Sequence, residues 1–496
     1  MTKTSSPTVS ALETLRFENT YARLPEAFRR RVEPTPLPAP YLVGFNESAA
    51  ELIGLDPREA GRPEFVQYFA GNKLLPGSEP VSAVYAGHQF GTFVPQLGDG
   101  RAILLGEAAG ARGERWDVQL KGAGLTPFSR MGDGRAVLRS TIREYLCGEA
   151  MHALGIPSTR ALCVVGSDEP VFRETVETAA VLTRLAPTHV RFGTFELFYY
   201  RGQLERVREL ADYVLRHHYP HLMEADDKHL QFLREVVART ARLVARWQAV
   251  GFAHGVMNTD NMSVVGLTMD YGPFGFLDEF DAGFVCNHSD YGGRYAFDQQ
   301  PAVALWNLSR FAQTLVPLVE PDAAVAALNE FAPLFAEAYD GLMRDKLGLR
   351  TARPEDAELV AGLLGTLQAN GVDYARFFRR LCRFTAEPGG GDEVLRDMFI
   401  DRASFDAWAA LYRARLSAER SDDAARREQM LRVNPLYVLR NHLAQRAIER
   451  AQARDYAELG ALLRALQNPF DEQPGMERFA EPPPEGARRV VVSCSS

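Results

Sequence analysis

The sequence predicts an α+β chain in which a small, sheet-containing lobe precedes a larger helical lobe, with an extension at either end. Three observations predict it. Short apolar or alternating runs, the mark of strands, crowd into residues 81–185. Beyond about Val207 the apolar residues recur at helical spacing instead, most clearly over residues 227–250. The first 80 residues are rich in proline and turns, and a Pro- and Glu-rich stretch precedes the C-terminal tail.

Taken in order, residues 1–80 read as an extension wrapping the core, with Pro34-Thr-Pro-Leu-Pro-Ala-Pro40 and a short helix near residues 48–55. Residues 81–200 form the sheet lobe, with strands expected at 102–105, 116–120, 161–165 and 179–182. Between them, residues 139–154 predict a helix with Ile142, Leu146, Ala150 and Ala153 along one face, closed by Gly155 and Pro157. Residues 201–400 form the helical lobe. Its long helix over 227–250 repeats Leu230, Leu233, Val237, Thr240, Val244 and Trp247, and stops at Gly251. A loop-rich section follows to about Pro301, then more helices; residues 401–496 are a C-terminal helical extension and a tail. There is no internal repeat and no heptad array.

At 496 residues, 46% of them hydrophobic and 24% charged, the chain has material for two or three packed units. A formal charge of −8 argues against a protein that lives on nucleic acid or on an anionic membrane. No apolar run approaches the roughly 20 residues that cross a bilayer. The polar start lacks a secretory apolar region, and Glu13, Glu18 and Glu26 do not suit a transit peptide. A cytoplasmic protein is expected, with a monomer as the working oligomeric state. The five cysteines include no Cys-x-x-Cys pair, so neither a zinc site nor a disulfide scaffold is expected.

Several segments carry chemistry. Gln96-Leu-Gly-Asp-Gly-Arg101 precedes a strand. Gly98 and Gly100 would let backbone N–H groups approach a phosphate beside Arg101, although Asp-Gly alone reads as a hairpin turn. Lys121 ends a strand before Gly122-Ala-Gly124. A lysine there needs an anionic partner, and the following helix offers Glu144 or Glu149. Asp133-Gly134 lies in a second Gly-Asp-Gly-Arg, where a phosphate could meet backbone donors and Arg135 at the start of that helix. Arg184 and Arg191 supply two forks suited to phosphate oxygens near the lobe junction; singly, either reads as a surface salt bridge.

The most informative segment is His254-Gly-Val-Met-Asn-Thr-Asp-Asn261, followed by Met269-Asp-Tyr-Gly272. Protein kinases place a long helix before a His-x-Asp-x-x-x-x-Asn loop and then an Asp-Phe-Gly, whose Asp joins the Asn in holding metal. Here Asn261 takes the Asn position, and Asp270 follows it by nine residues. One Asn and one Asp, completed by phosphate and water, suit Mg²⁺. With the lobe order, this predicts a protein kinase-like bilobal fold. Yet Val256 stands where the catalytic-loop Asp belongs, and valine cannot accept a proton. Ordinary phosphotransfer is therefore not expected. Asp260 is the nearest carboxylate, either a base or a group supporting the metal.

Together these residues resemble the selenoprotein O family, pseudokinase-derived protein AMPylases. The resemblance spans nearly the whole chain, through Phe17-Glu-Asn-Thr-Tyr-Ala-Arg-Leu-Pro25, Tyr85-Ala-Gly-His-Gln-Phe-Gly91, Gln119-Leu-Lys-Gly-Ala-Gly124, Asn258-Thr-Asp-Asn-Met262, Asn434-Pro-Leu-Tyr-Val-Leu-Arg-Asn441, Asn468-Pro-Phe-Asp-Glu-Gln-Pro474 and Cys494-Ser-Ser496. It implies a kinase fold that binds ATP in a flipped orientation, moving AMP to Ser, Thr or Tyr hydroxyls of protein partners and releasing pyrophosphate. It further implies that Gly98, Gly100, Arg101, Lys121, Asp133, Gly134, Arg184, Arg191 and Asp270 bind the nucleotide. Glu144 would pair with Lys121, Asn261 and Asp270 would hold Mg²⁺ or Mn²⁺, and Asp260 would accept the proton. Some bacterial members are reported to use UTP with Mn²⁺, giving UMPylation. A redox disulfide between Cys286 and Cys494 is also implied. The competing expectations are a silent ATP-binding pseudokinase scaffold, which Val256 favours, and a small-molecule phosphotransferase.

Overall fold

The computed structural model describes residues 9–110, 113–387, 391–484 and 490–493. Its N-terminal part is built on one antiparallel sheet. The strands are β1 (Arg29–Arg31), β2 (Tyr41–Phe45), β3 (Val81–Ala83), β4 (Gly87–Gln89), β5 (Thr92–Val94), β6 (Ala102–Ala109), β7 (Arg115–Lys121), β8 (Ala136–Val137), β9 (Arg160–Phe172) and β10 (Val176–Ala186). The sheet runs β1-β3-β6-β7-β10-β9-β2, with β8 on β10; β4 and β5 form a separate hairpin. The four expected strands are all present but extend further. The β9–β10 hairpin continues to Phe172 and Val176, both exposed, where no apolar alternation marks the strand.

Burial explains which residues form these strands. Ile103, Leu105, Val118, Leu120, Val165 and Val181 pack with the helices α1 (Glu47–Leu52) and α2 (Pro63–Phe69) of the N-terminal segment. That segment is fixed by Glu107 on β6, which accepts hydrogen bonds from the backbone N–H groups of Thr20 and Tyr21. On the other side of the sheet lies α3 (Leu138–Ala153), burying Ile142, Leu146 and Ala150.

The C-terminal part is helical. After α4 (Phe192–Tyr200) and α5 (Leu204–His218) comes α6 (Lys228–Val250), which buries Leu233, Val237, Thr240, Val244 and Trp247. Gly251 ends it in the left-handed region at φ 76°, where glycine carries no Cβ penalty. The chain then forms β11 (Phe252–Ala253), makes an excursion through residues 254–274, and returns as β12 (Gly275–Phe276), antiparallel to β11. This short ladder pins both ends of the excursion, which contains Asp260, Asn261 and Asp270. Helices continue to Gln467, and the last two, Asn441–Gln452 and Ala457–Gln467, pack on α3. No helix among the described residues is long and apolar enough to cross a membrane.

Candidate functional site

Strand register assembles the cationic side of the site. Lys121 at the end of β7 pairs with Ala102 on one neighbour and Leu182 on the other, and Gln119 pairs with Arg184. Because alternate residues share a face, Gln119, Lys121 and Arg184 project together, with Arg101 one residue before Ala102. Lys121 Nζ lies 2.5 Å from Glu144 Oε2 on α3. Glu149, the other carboxylate that spacing allowed, is taken by Arg160 through two 2.8 Å contacts. That pair is buried, so Glu149→Ala would strand an unpaired guanidinium. A loss of ~3–5 kcal/mol is expected, read as a lower denaturation midpoint; an unchanged midpoint would contradict it.

Asp270 is the centre of the charge arrangement. Its Oδ1 accepts from Arg184 at 2.5 Å and lies 3.8 Å from Lys121 Nζ, while Oδ2 accepts from Arg191. Burial alone would raise its pKa, but Arg191, Arg184 and Lys121 outweigh that and hold the carboxyl well below the usual range. Asp270 also adopts φ 57°, an uncommon conformation outside glycine. His254 supports it from behind, its Nε2 within 3.0 Å of the Met269 carbonyl. The Tyr271 ring anchors the turn against Phe252 and Phe274, and its hydroxyl is hydrogen-bonded to Ser158.

Arg191 joins the two halves of the site. It also donates to the Asp260 carbonyl at 2.7 Å, and its guanidinium lies over the Tyr85 ring at 4.7 Å. The Asp260 carboxyl is buried; Oδ2 accepts from Gln89 Nε2 at 3.2 Å, and Oδ1 has no hydrogen-bond partner among the described residues. Burial pushes its pKa up to about 7, against the opposing pull of Arg191. The loop carrying it is clasped by β4: His88 N–H donates to Thr259 Oγ1 at 2.7 Å and Phe90 N–H to Asn258 Oδ1 at 3.1 Å. Gly87 is required there, since a Cβ would come within 2.5 Å of Asp260 Oδ1.

Lys121, Glu144, Arg184, Arg191, Asp260 and Asp270 line one cleft of about 530 Å³, together with Gly98, Gly100, Arg101, Asp133, Gly134 and Asn261. The Arg101 side chain makes no hydrogen bond or ion pair among the described residues, which leaves its guanidinium available for an anion. With Lys121, Arg184 and Arg191 it sets four cations against the carboxylates of Glu144 and Asp270. Asp99 lies 3.9 Å from Arg191, and burial raises its pKa against the opposing pull of that arginine. It accepts from Gln119 at 3.2 Å and Tyr85 at 3.3 Å. An excess of cations in a concave, partly desolvated site is the electrostatics that phosphate oxygens require.

Other expected residues have additional duties. Gly98, at φ 121°, packs so tightly that a Cβ would fall 2.6 Å from Phe128. Asp133 sits on the rim in a bidentate pair with Arg173, at 2.7 and 2.9 Å. Arg135, a phosphate contact by spacing, also lines the cleft, but its guanidinium is already engaged by Glu169 and the carbonyls of Thr35 and Pro36. Sequence reasoning gave no role to Tyr85, Gln89, Asp99 or Asn258. Their only signal was membership in longer strings: Tyr85 and Gln89 in Tyr85–Gly91, Asp99 in Gln96–Arg101, and Asn258 in His254–Asn261. Cys286 is buried beside the cleft loop, and the next residue, Asn287, bridges Val492 in the tail. Cys494 lies outside the described residues.

The donor set suits a hard divalent ion. Asp270 is ionised, and Asn261 donates its amide N–H to the Val256 carbonyl at 2.9 Å, leaving its oxygen as an acceptor. Nearby, Asp260 Oδ1 is buried and has no partner among the described residues. No cluster of three or more His, Cys, Asp or Glu among the described residues forms a metal cage. Substrate oxygens and water would have to complete the shell.

Comparison with known proteins agrees with this chemistry. The family model described as protein adenylyltransferase SelO matches residues 11–467. A protein nucleotidyltransferase YdiU of Thiobacillus denitrificans is 58% identical over 489 residues, covering 98% of this chain and 100% of the relative. The protein of the same name from Thioalkalivibrio sulfidiphilus is 59% identical, over 98% of this chain and 99% of its own. That of Myxococcus xanthus is 58% identical, over 98% and 100%.

Proposed function

The chain belongs to the SelO family of protein adenylyltransferases, and on that premise we propose that it transfers AMP from ATP to Ser, Thr or Tyr hydroxyls of cytoplasmic proteins. The observation that carries this reading is the convergence of Lys121, Arg184 and Arg191 on Asp270, in a cleft that also holds Asp260. In the transfer, the acceptor oxygen bonds to the α-phosphorus, the bond to the β-phosphate oxygen breaks, and pyrophosphate leaves. Lys121, Arg184, Arg191 and Arg101 neutralise the leaving pyrophosphate, the charge that grows as the bond breaks. Asp260 takes the hydroxyl proton, a role that Val256, an apolar residue on the cleft wall, leaves to it. Asn261 and Asp270 are the residues that would hold Mg²⁺ or Mn²⁺, whose charge, when bound, would further neutralise the phosphates.

The arrangement is that of a kinase-like bilobal fold with the nucleotide reversed, so that the α-phosphate faces the acceptor. Residues 81–200 and 201–400 serve as the two lobes, and residues 1–80 and 401–496 as extensions. UTP with Mn²⁺ is the second donor to try. A redox disulfide from Cys286 to Cys494 is supported by the docking of the tail at Asn287 and His288. The reading is tested by supplying ATP, Mg²⁺ and a cell extract depleted of small molecules, then measuring pyrophosphate and ADP. Pyrophosphate formation that depends on the protein acceptor is expected; ADP formation would indicate a phosphotransferase instead.

A further inference from the structure

A second cavity, of about 860 Å³, shares no lining residue with the nucleotide cleft. It lies among the start of β7, the ends of α3 and α5, the outward face of α6 and the loop of residues 265–267. Its volume falls in the range of small-molecule sites. Its chemistry is divided. Leu243 and Leu267 give an apolar floor, and Trp116 offers an aromatic face.

The remaining wall is basic. Arg239, Arg242 and Arg246 follow one another at three- and four-residue spacing on α6, so they share a face. Arg239 is paired with Glu235 at 3.1 Å. The Arg242 side chain makes no hydrogen bond or ion pair among the described residues, and that of Arg246 donates there only to the Gly155 carbonyl. Two arginines four apart on a helix repel each other unless an anion lies between them. Arg115 and Arg160 also line the cavity, tied to Glu18 and Glu149; Glu114 is the only acid in the lining among the described residues. His218 reaches the same wall with its Nε2 buried and without a hydrogen-bond partner among the described residues. Burial chiefly, with smaller contributions from His217, Arg115 and Arg239, pushes its pKa down to about 3.

We propose that this cavity is a second ligand site, built for a phosphorylated small molecule with a planar apolar group, the class to which nucleotides belong. Arg242, Arg246 and His218 receive the phosphates, and Trp116 with the leucine floor receives the ring. The loop wall ends at Leu267, three residues before Asp270, so a bound ligand touches the segment that carries the cleft carboxylate. The proposal does not depend on the reaction assigned to the cleft.

Equilibrium dialysis of the full chain against labelled ATP, in EDTA to prevent transfer, counts the occupied sites. Two equivalents are expected, and Arg242→Glu with Arg246→Glu should weaken one of them at least about tenfold. Lys121→Ala should weaken the other, so failure of this proposal and failure of the cleft reading are separable. Unlabelled tripolyphosphate should displace the equivalent that depends on Arg242 and Arg246, and adenosine alone should not. A single equivalent in the unaltered chain, two that survive the charge reversal, or displacement by adenosine would each overturn the proposal. Arg242→Gln with Arg246→Gln, neutral changes on an exposed helix face, gives the same readout should the reversal disturb folding.

Discussion

Asp270→Ala is expected to lower AMP transfer by at least about a thousandfold, the scale on which loss of transition-state charge stabilisation is felt. The variant should still bind ATP. Removing the carboxylate leaves Lys121 and Arg184 facing Glu144 and Arg191 near Asp99, so the cleft becomes more positive. Metal-free binding of ATP should therefore hold or tighten while turnover collapses, a split that general unfolding would not produce. Asp270→Asn, which keeps the shape and removes the charge, should behave the same way. Near-normal turnover in either variant would retire Asp270 as a metal-holding residue.

Asp260→Asn should carry the next largest effect, a fall in kcat of about 10²–10⁴, typical of losing a positioned proton acceptor. The substitution is close to isosteric. The Asp260 side chain contacts Gln89, whereas Arg191 reaches only its backbone carbonyl. Nucleotide binding and the arginine network should therefore survive, and the KM for ATP should move little. Initial rates across ATP concentrations separate the two parameters. A KM that rises while kcat is unchanged would assign Asp260 to binding and remove it as the proton acceptor.

Much of this was legible in the chain because it lies in contiguous patterns. The long helix before His254, the nine-residue step from Asn261 to Asp270 and the strand ending at Lys121 are local features whose period and spacing are readable directly. What sequence hid was direction and long-range contact. Arg135 and Arg101 stand in the same Gly-Asp-Gly-Arg context and both line the cleft, yet the Arg101 guanidinium has no partner among the described residues while that of Arg135 is held by Glu169 and the Thr35 and Pro36 carbonyls. Spacing cannot say which way a loop side chain turns. Gln89 and His88 reach the Asp260 loop across 171 residues of chain, and no periodicity encodes such a contact. The choice between Glu144 and Glu149 was open for the same reason: one helix presents both, and the partners Lys121 and Arg160 come from different strands.

The two charge clusters also divide the molecule's arginines by use. Arg184 and Arg191 are almost fully buried and held by carboxylates, an arrangement that fixes geometry before any substrate arrives. Arg101 in the cleft and Arg242 in the second cavity have no such partner among the described residues. Buried, paired cations preorganise a site, and unpaired ones at its edge receive the ligand.

The central claim is that the cleft reacts at the α-phosphate of a bound nucleotide. It is tested most directly by incubating the protein and an acceptor extract with ATP carrying label at the α- or the γ-phosphate, then measuring label retained on protein. Retention from the α-position alone is predicted, and it should disappear in Asp270→Ala. Retention from the γ-position, or from neither, would contradict the account.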